Sequence, residues 1–78
     1  MTKDELINTG RITDLKTFLN LRPKENLHVD CTDIVLYKDG HYIQMLKSGW
    51  YFFDGYQHAT LEAMEELMWK KFYNNSTN

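Results

Sequence analysis

The apolar positions change period along the chain. From Ile34 to Phe53 they come in short β-branched and aromatic runs, whereas Leu61, Met64, Leu67, Met68 and Phe72 recur every three or four residues. The first pattern predicts strands and the second an amphipathic helix. Together they predict a three-stranded antiparallel meander, four-stranded if a weak run at Leu27–Cys31 joins it, packed on a C-terminal helix. The fold class is α+β.

Two turn signals space the strands. Asp39-Gly40 separates Ile34–Lys38 from His41–Lys47, and Ser48-Gly49 precedes Trp50–Phe53. Asp-Gly is the signature of a two-residue type I′ hairpin, in which both loop residues need positive φ. Counting outward from two-residue loops puts Tyr37 opposite Tyr42, Leu36 opposite Ile43, Ile34 opposite Met45, Met45 opposite Phe52, and Leu46 opposite Tyr51. One face is then aliphatic, with Ile34, Leu36, Ile43, Met45 and Phe52 expected under the helix. The other carries Val35, Tyr37, Tyr42, Gln44, Leu46, Tyr51 and Phe53, and is too apolar for solvent unless the N-terminal segment or a partner covers it.

Asp54-Gly55 should release the third strand, with Thr60 capping the helix that begins at Leu61. Glu62, Glu65 and Glu66 early and Lys70 and Lys71 late complement its dipole. Trp69 and Tyr73, four apart, fall with Glu62 and Glu66 on the side away from the stripe. Upstream, Thr2-x-x-Glu5 has capping-box spacing, predicting a helix over Lys3–Asn8 that Gly10 stops. Thr13 should cap a second helix, Asp14–Leu21, whose apolar edge is Ile12, Leu15, Phe18 and Leu19 and which Pro23 ends. The chain reads as one domain over 1–78: a helical segment 1–22, a βββα unit 33–73, and a polar tail 74–78 expected to fray.

Composition sharpens this picture. The 42% hydrophobic and 14% aromatic content of these 78 residues is too high for a disordered chain, and a net charge of -2 argues against a broadly basic face. The single cysteine, Cys31, has no partner for an internal disulfide, and no apolar run approaches a membrane span. These features lead to the expectation of a cytoplasmic protein.

The candidate chemistry is sparse. His28 and Asp30 would share one strand face with Cys31 on the other, a poor convergence for zinc, so neither metal nor cofactor is expected. Cys31 beside His28 or His41 lacks a third group to orient the pair, and the glutamates read as a solvated helix start, so the expected protein is not an enzyme.

The order of elements from Ile34 to Tyr73 resembles the plant-type apetala and the related integrase-arm DNA-binding domains. That resemblance implies a three-stranded sheet reading nucleic acid, with Lys38, His41, Lys47 and Trp50 as its contacts. Sheets of that kind present several Arg and Lys side chains, whereas the three strands predicted here carry no arginine, Arg11 and Arg22 both lying N-terminal to them. Tyr37, Tyr42, Tyr51 and Phe53 offer a stacking platform instead.

A protein partner accounts for more of the sequence, because Tyr and Trp bury large areas and keep a polar tip. The expected contact residues are Trp69, Tyr73, Glu62 and Glu66 on the helix, with Tyr37, Tyr42 and Tyr51 on the sheet. An open edge strand also invites a second copy, a homodimer. A compact chain rich in Lys, Asn and Tyr has the composition of a phage or bacterial accessory protein that inhibits or modulates a host or defence complex. The leading expectation is thus a small protein-binding module, and the alternative is a nucleic-acid-binding domain.

Overall fold

The computed structural model describes residues 3–72. The element order is α1 (Lys3–Asn8), β1 (Arg11–Asp14), α2 (Leu15–Leu21), β2 (Cys31–Leu36), β3 (Tyr42–Leu46), β4 (Tyr51–Phe53), β5 (Tyr56–His58) and α3 (Leu61–Phe72). All five strands pair antiparallel with their sequence neighbours in the order β1-β2-β3-β4-β5. The fold is α+β, as its periodicities predict, but the sheet has two more strands than the meander. Neither extra strand is Leu27–Cys31, which runs as coil and turn up to the first residue of β2.

The missed strands lie at the two edges. Arg11–Asp14 is extended because it pairs with Asp33–Leu36, which overrides the helical spacing of Ile12 with Leu15. Asp14, not Thr13, then caps α2: its Oδ1 accepts from the Thr17 N–H at 2.9 Å and its Oδ2 from the Thr17 hydroxyl at 2.9 Å. At the other edge, Phe53 pairs with Tyr56 across Asp54-Gly55, whose φ angles of 52° and 83° are both positive. The type I′ hairpin therefore forms here, and not at Asp39-Gly40.

The two central turns are three-residue loops. Tyr37 N–H donates to His41 O at 2.9 Å and Gly40 N–H to Tyr37 O at 3.0 Å; Leu46 N–H donates to Trp50 O at 2.8 Å and Gly49 N–H to Leu46 O at 2.9 Å. Gly40 and Gly49 alone take positive φ in these loops, 97° and 95°, the pattern of a type I turn closed by a glycine bulge. In each loop the middle side chain fixes the exit, Asp39 Oδ1 accepting from the His41 N–H at 3.0 Å and Ser48 Oγ from the Trp50 N–H at 3.3 Å.

One extra residue per loop slips each register by one. Leu36 faces Tyr42, Ile34 faces Gln44, Gln44 faces Phe52 and Met45 faces Tyr51. The two slips cancel between β2 and β4, so only β3 is turned over relative to the two-residue reading. Tyr42, Gln44 and Leu46 share a face with Ile34, Leu36 and Phe52; Ile43 and Met45 share one with Val35, Tyr37, Tyr51 and Phe53.

Each face has its own core. Met64 and Met68 of α3 and Leu6 of α1 pack on Val35, Tyr37, Ile43 and Phe53, so the C-terminal helix covers the face expected to be left tyrosine-rich. Phe18 of α2 packs on Cys31, Ile34 and Leu36, flanked by Leu15, Leu19, Leu27 and Tyr42. A bulge at Thr32 shifts the register between Cys31 and Asp33 and so brings Cys31 to the Ile34 side. Full burial of side chains such as Ile43, Met64 and Met68 contributes roughly 1.5–3 kcal/mol each. No helix among the described residues is long and apolar enough to cross a membrane.

Candidate functional site

The residues singled out from sequence scatter over this fold. Tyr37 is 3% exposed beneath α3, and its hydroxyl donates to Glu65, itself buried and not part of a solvated helix start. Tyr51 and Trp69 are half-buried against the same core. Glu62 is exposed, Glu66 pairs with Lys3, and Tyr73 lies outside the described residues. Lys38 and His41 sit at the β2–β3 turn, while Lys47 and Trp50 flank the β3–β4 turn at the opposite end of β3. A five-residue strand is about 16 Å long, which sets the two groups of cations apart.

Of those residues, Tyr42 and His41 do meet others, in a cleft of about 360 Å³. Its floor is Tyr42, Gln44 and Phe52 from β3 and β4. Around it stand Arg22 and Glu25 after α2, Gly40 and His41 from the β2–β3 turn, Asp54 from the β4–β5 turn, and Lys71 and Phe72 from the last turn of α3. The three-residue turn after β2 creates this floor, because it rotates Tyr42 and Gln44 onto the Phe52 face.

The charges at the rim are paired internally. Arg22 and Glu25 approach to 4.0 Å, Lys71 forms an ion pair with Asp54, and His41 Nδ1 lies 2.7 Å from Asp39 Oδ2. Among the described residues two cations and two carboxylates line the cleft itself, and their charges balance. The Arg22 guanidinium also stands 5.4 Å from the Phe18 ring centroid and 5.8 Å from that of Tyr42. Tyr42 donates its hydroxyl proton to Glu25 Oε2 at 2.8 Å, and burial, then that bond, pushes its pKa up to about 12.

The walls are aromatic. The His41 and Phe72 rings lie 3.9 Å apart, and Phe72 meets Phe53 edge-on at 5.6 Å. Phe52 receives the His28 ring at 5.0 Å. Gln44, 6% exposed, accepts the His28 N–H on its Oε1 at 2.7 Å, which ties the Leu27–Asp30 segment over this half of the sheet.

Among the described residues no three His, Cys, Asp or Glu side chains converge as a metal site would require. His28 Nδ1 accepts the Asp30 N–H at 2.9 Å, and the Cys31 thiol points to the Asp33 carbonyl at 3.4 Å. Burial pushes that thiol above its ordinary pKa, the opposite of what a nucleophile needs.

Sequence reasoning passed over Arg22, Glu25, Gln44, Phe52, Asp54, Lys71 and Phe72 as a group. One signal was available. Gln44 is the one amide side chain within Tyr42-Ile43-Gln44-Met45-Leu46, a central strand buried on both faces, and a polar residue there needs a partner. Comparison with protein-family models, with curated proteins and with solved structures finds no match for this chain.

Proposed function

We propose that this protein is a non-enzymatic binding module for another protein, and that the partner docks at the aromatic cleft. The observation that carries the reading is the cleft's combination of aromatic walls with balanced, internally paired rim charges. Aromatic walls offer area and a few directed hydrogen bonds, which is what a protein side chain uses at a hot spot. A polyanion needs a cationic track to displace its counterions, and the exposed lysines of the two central turns stand at opposite ends of β3. By occupying one surface of a larger assembly, such a module would inhibit or modulate it.

The test is capture from an extract of the cells that make the protein, with nuclease-treated and untreated halves. The reading expects a defined polypeptide, retained after nuclease and reduced at least several-fold by Lys71→Glu, which puts a third carboxylate at the rim without touching the core. Capture that disappears with nuclease would replace the reading with nucleic-acid binding.

A further inference from the structure

Gln44 is almost wholly enclosed, yet its amide is only half used. Oε1 accepts the His28 N–H, and among the described residues Nε2 has no hydrogen-bond partner. No fully buried side-chain nitrogen or oxygen among those residues lacks a partner, so Nε2 must reach solvent, and the cavity Gln44 lines is the aromatic cleft. Because Oε1 is fixed on a backbone N–H, the amide cannot flip to present its oxygen. At Gln44 the cleft floor therefore offers a donor, and an occupant that pairs with it brings an acceptor.

The surroundings restrict that acceptor. Arg22 faces Glu25 and Lys71 faces Asp54, so a phosphate or carboxylate entering here meets as much repulsion as attraction. A neutral carbonyl meets neither. About 360 Å³ lies near the lower bound of ligand pockets, about 300–1,000 Å³, and suits one large side chain with its flanking peptide groups better than a helix or a loop. Tyr42, Phe52 and Phe72 favour an aromatic ring, which packs on other rings offset or edge-on.

We propose that the cleft takes a peptide segment of the partner, inserting one aromatic side chain among Tyr42, Phe52 and Phe72 while a neighbouring backbone carbonyl accepts from Gln44 Nε2. The proposal rests on the protein-binding reading and names what that partner presents. It gives Gln44 two roles: Oε1 holds the segment after α2 in place, and Nε2 selects the ligand.

The experiment is an amide-shift titration of the isotopically labelled protein with N-acetyltyrosine methylamide, 4-ethylphenol and adenosine monophosphate. The capped amino acid should bind saturably, with a dissociation constant on the order of 1 mM for a ligand of its size. It should move the Gln44 side-chain NH2 resonances. The phenol has the ring and no amide, so it should bind more weakly and leave those resonances in place. Gln44→Met, checked for folding by its dispersed spectrum, should weaken the capped amino acid about fivefold, the worth of one hydrogen bond. If Gln44→Met does not fold, the comparison of the two ring ligands on the native protein still decides. Equal binding by both, or no saturable shift from the capped amino acid, overturns the peptide inference and leaves the protein-binding reading to the capture experiment. Preferred binding of adenosine monophosphate overturns both.

Discussion

The Tyr37 hydroxyl on β2 donates its proton to the Glu65 carboxylate on α3, and this pair joins sheet and helix inside the larger core. Neither residue belongs there on hydrophobicity alone, and each makes the other tolerable. Tyr37→Phe would leave a buried carboxylate without its donor and should cost about 1–3 kcal/mol in denaturant unfolding. Glu65→Gln keeps an acceptor for the hydroxyl and removes the charge, so at neutral pH it should cost less than Tyr37→Phe. A larger loss from Glu65→Gln would show that the charge, not the bond, holds the helix down.

The same pair sets a pH dependence. Burial raises the Glu65 pKa above its ordinary value; the Tyr37 hydrogen bond and Lys3 work against that shift, and Glu62 adds to it. A raised folded pKa means that the unfolded chain loses the proton first as pH rises through about 4.5. Stability attached to the protonated form is therefore present at low pH and is lost between that point and the folded pKa. The stability of Glu65→Gln relative to wild type should therefore shift in the variant's favour as pH rises from about 4 to about 7, read from denaturation midpoints. Asp14, whose pKa is lowered first by the Thr17 N–H, acts in the opposite sense. Its cap is intact above the ordinary carboxylate value and fails only at lower pH, below this window.

What could be read from the sequence divides along physical lines. Apolar period, Thr60 as the cap of α3 and the extent of α1 are local properties, and they were legible: Thr60 Oγ1 accepts the Ala63 N–H at 3.3 Å, and α1 spans Lys3–Asn8. Register was not, because it turns on one residue of loop length. Lys38-Asp39-Gly40 and Lys47-Ser48-Gly49 share a Lys-x-Gly pattern in which the middle side chain accepts the N–H two residues on, and reading them as a pair gives the three-residue loop. The edge strands were hidden for another reason. Arg11–Asp14 and Tyr56–His58 owe their shape to long-range or hairpin pairing and have little apolar periodicity of their own. The cleft followed the register, since Tyr42 and Gln44 reach Phe52 only once β3 is turned over.

Gly10 is fixed by space. A Cβ added there would lie 2.6 Å from Tyr37 Cε1 and 2.9 Å from its Cδ1, and the ring cannot retreat because its hydroxyl is held by Glu65. Gly10→Ala should therefore cost about 1–3 kcal/mol, the usual scale of overpacking, and lower the melting temperature accordingly. At Gly49 a Cβ meets nothing within 4 Å, but φ is +95°. Gly49→Ala should lose on the order of 1 kcal/mol, from backbone strain alone. Wild-type stability in Gly10→Ala would mean that the Tyr37 ring has room to move.

Cys31 turns the smaller core into a measurable quantity. Its thiol is buried beneath Phe18 and directed at the Asp33 carbonyl, and burial also raises its pKa, so both access and thiolate content suppress its reaction with a disulfide reagent. Exposure requires that something open. The cover on that side is α2, a seven-residue helix entered through the Asp14 cap, whereas Tyr37 and Glu65 lock the opposite face. Short helices that bury few side chains, as α2 buries Phe18, open at lower free energy than the whole domain. Labelling of the native protein should thus be faster than global unfolding allows, be accelerated by Asp14→Ala, and respond little to Tyr37→Phe. Labelling that tracks Tyr37→Phe as closely as Asp14→Ala would mean that the two cores on either side of the sheet open together.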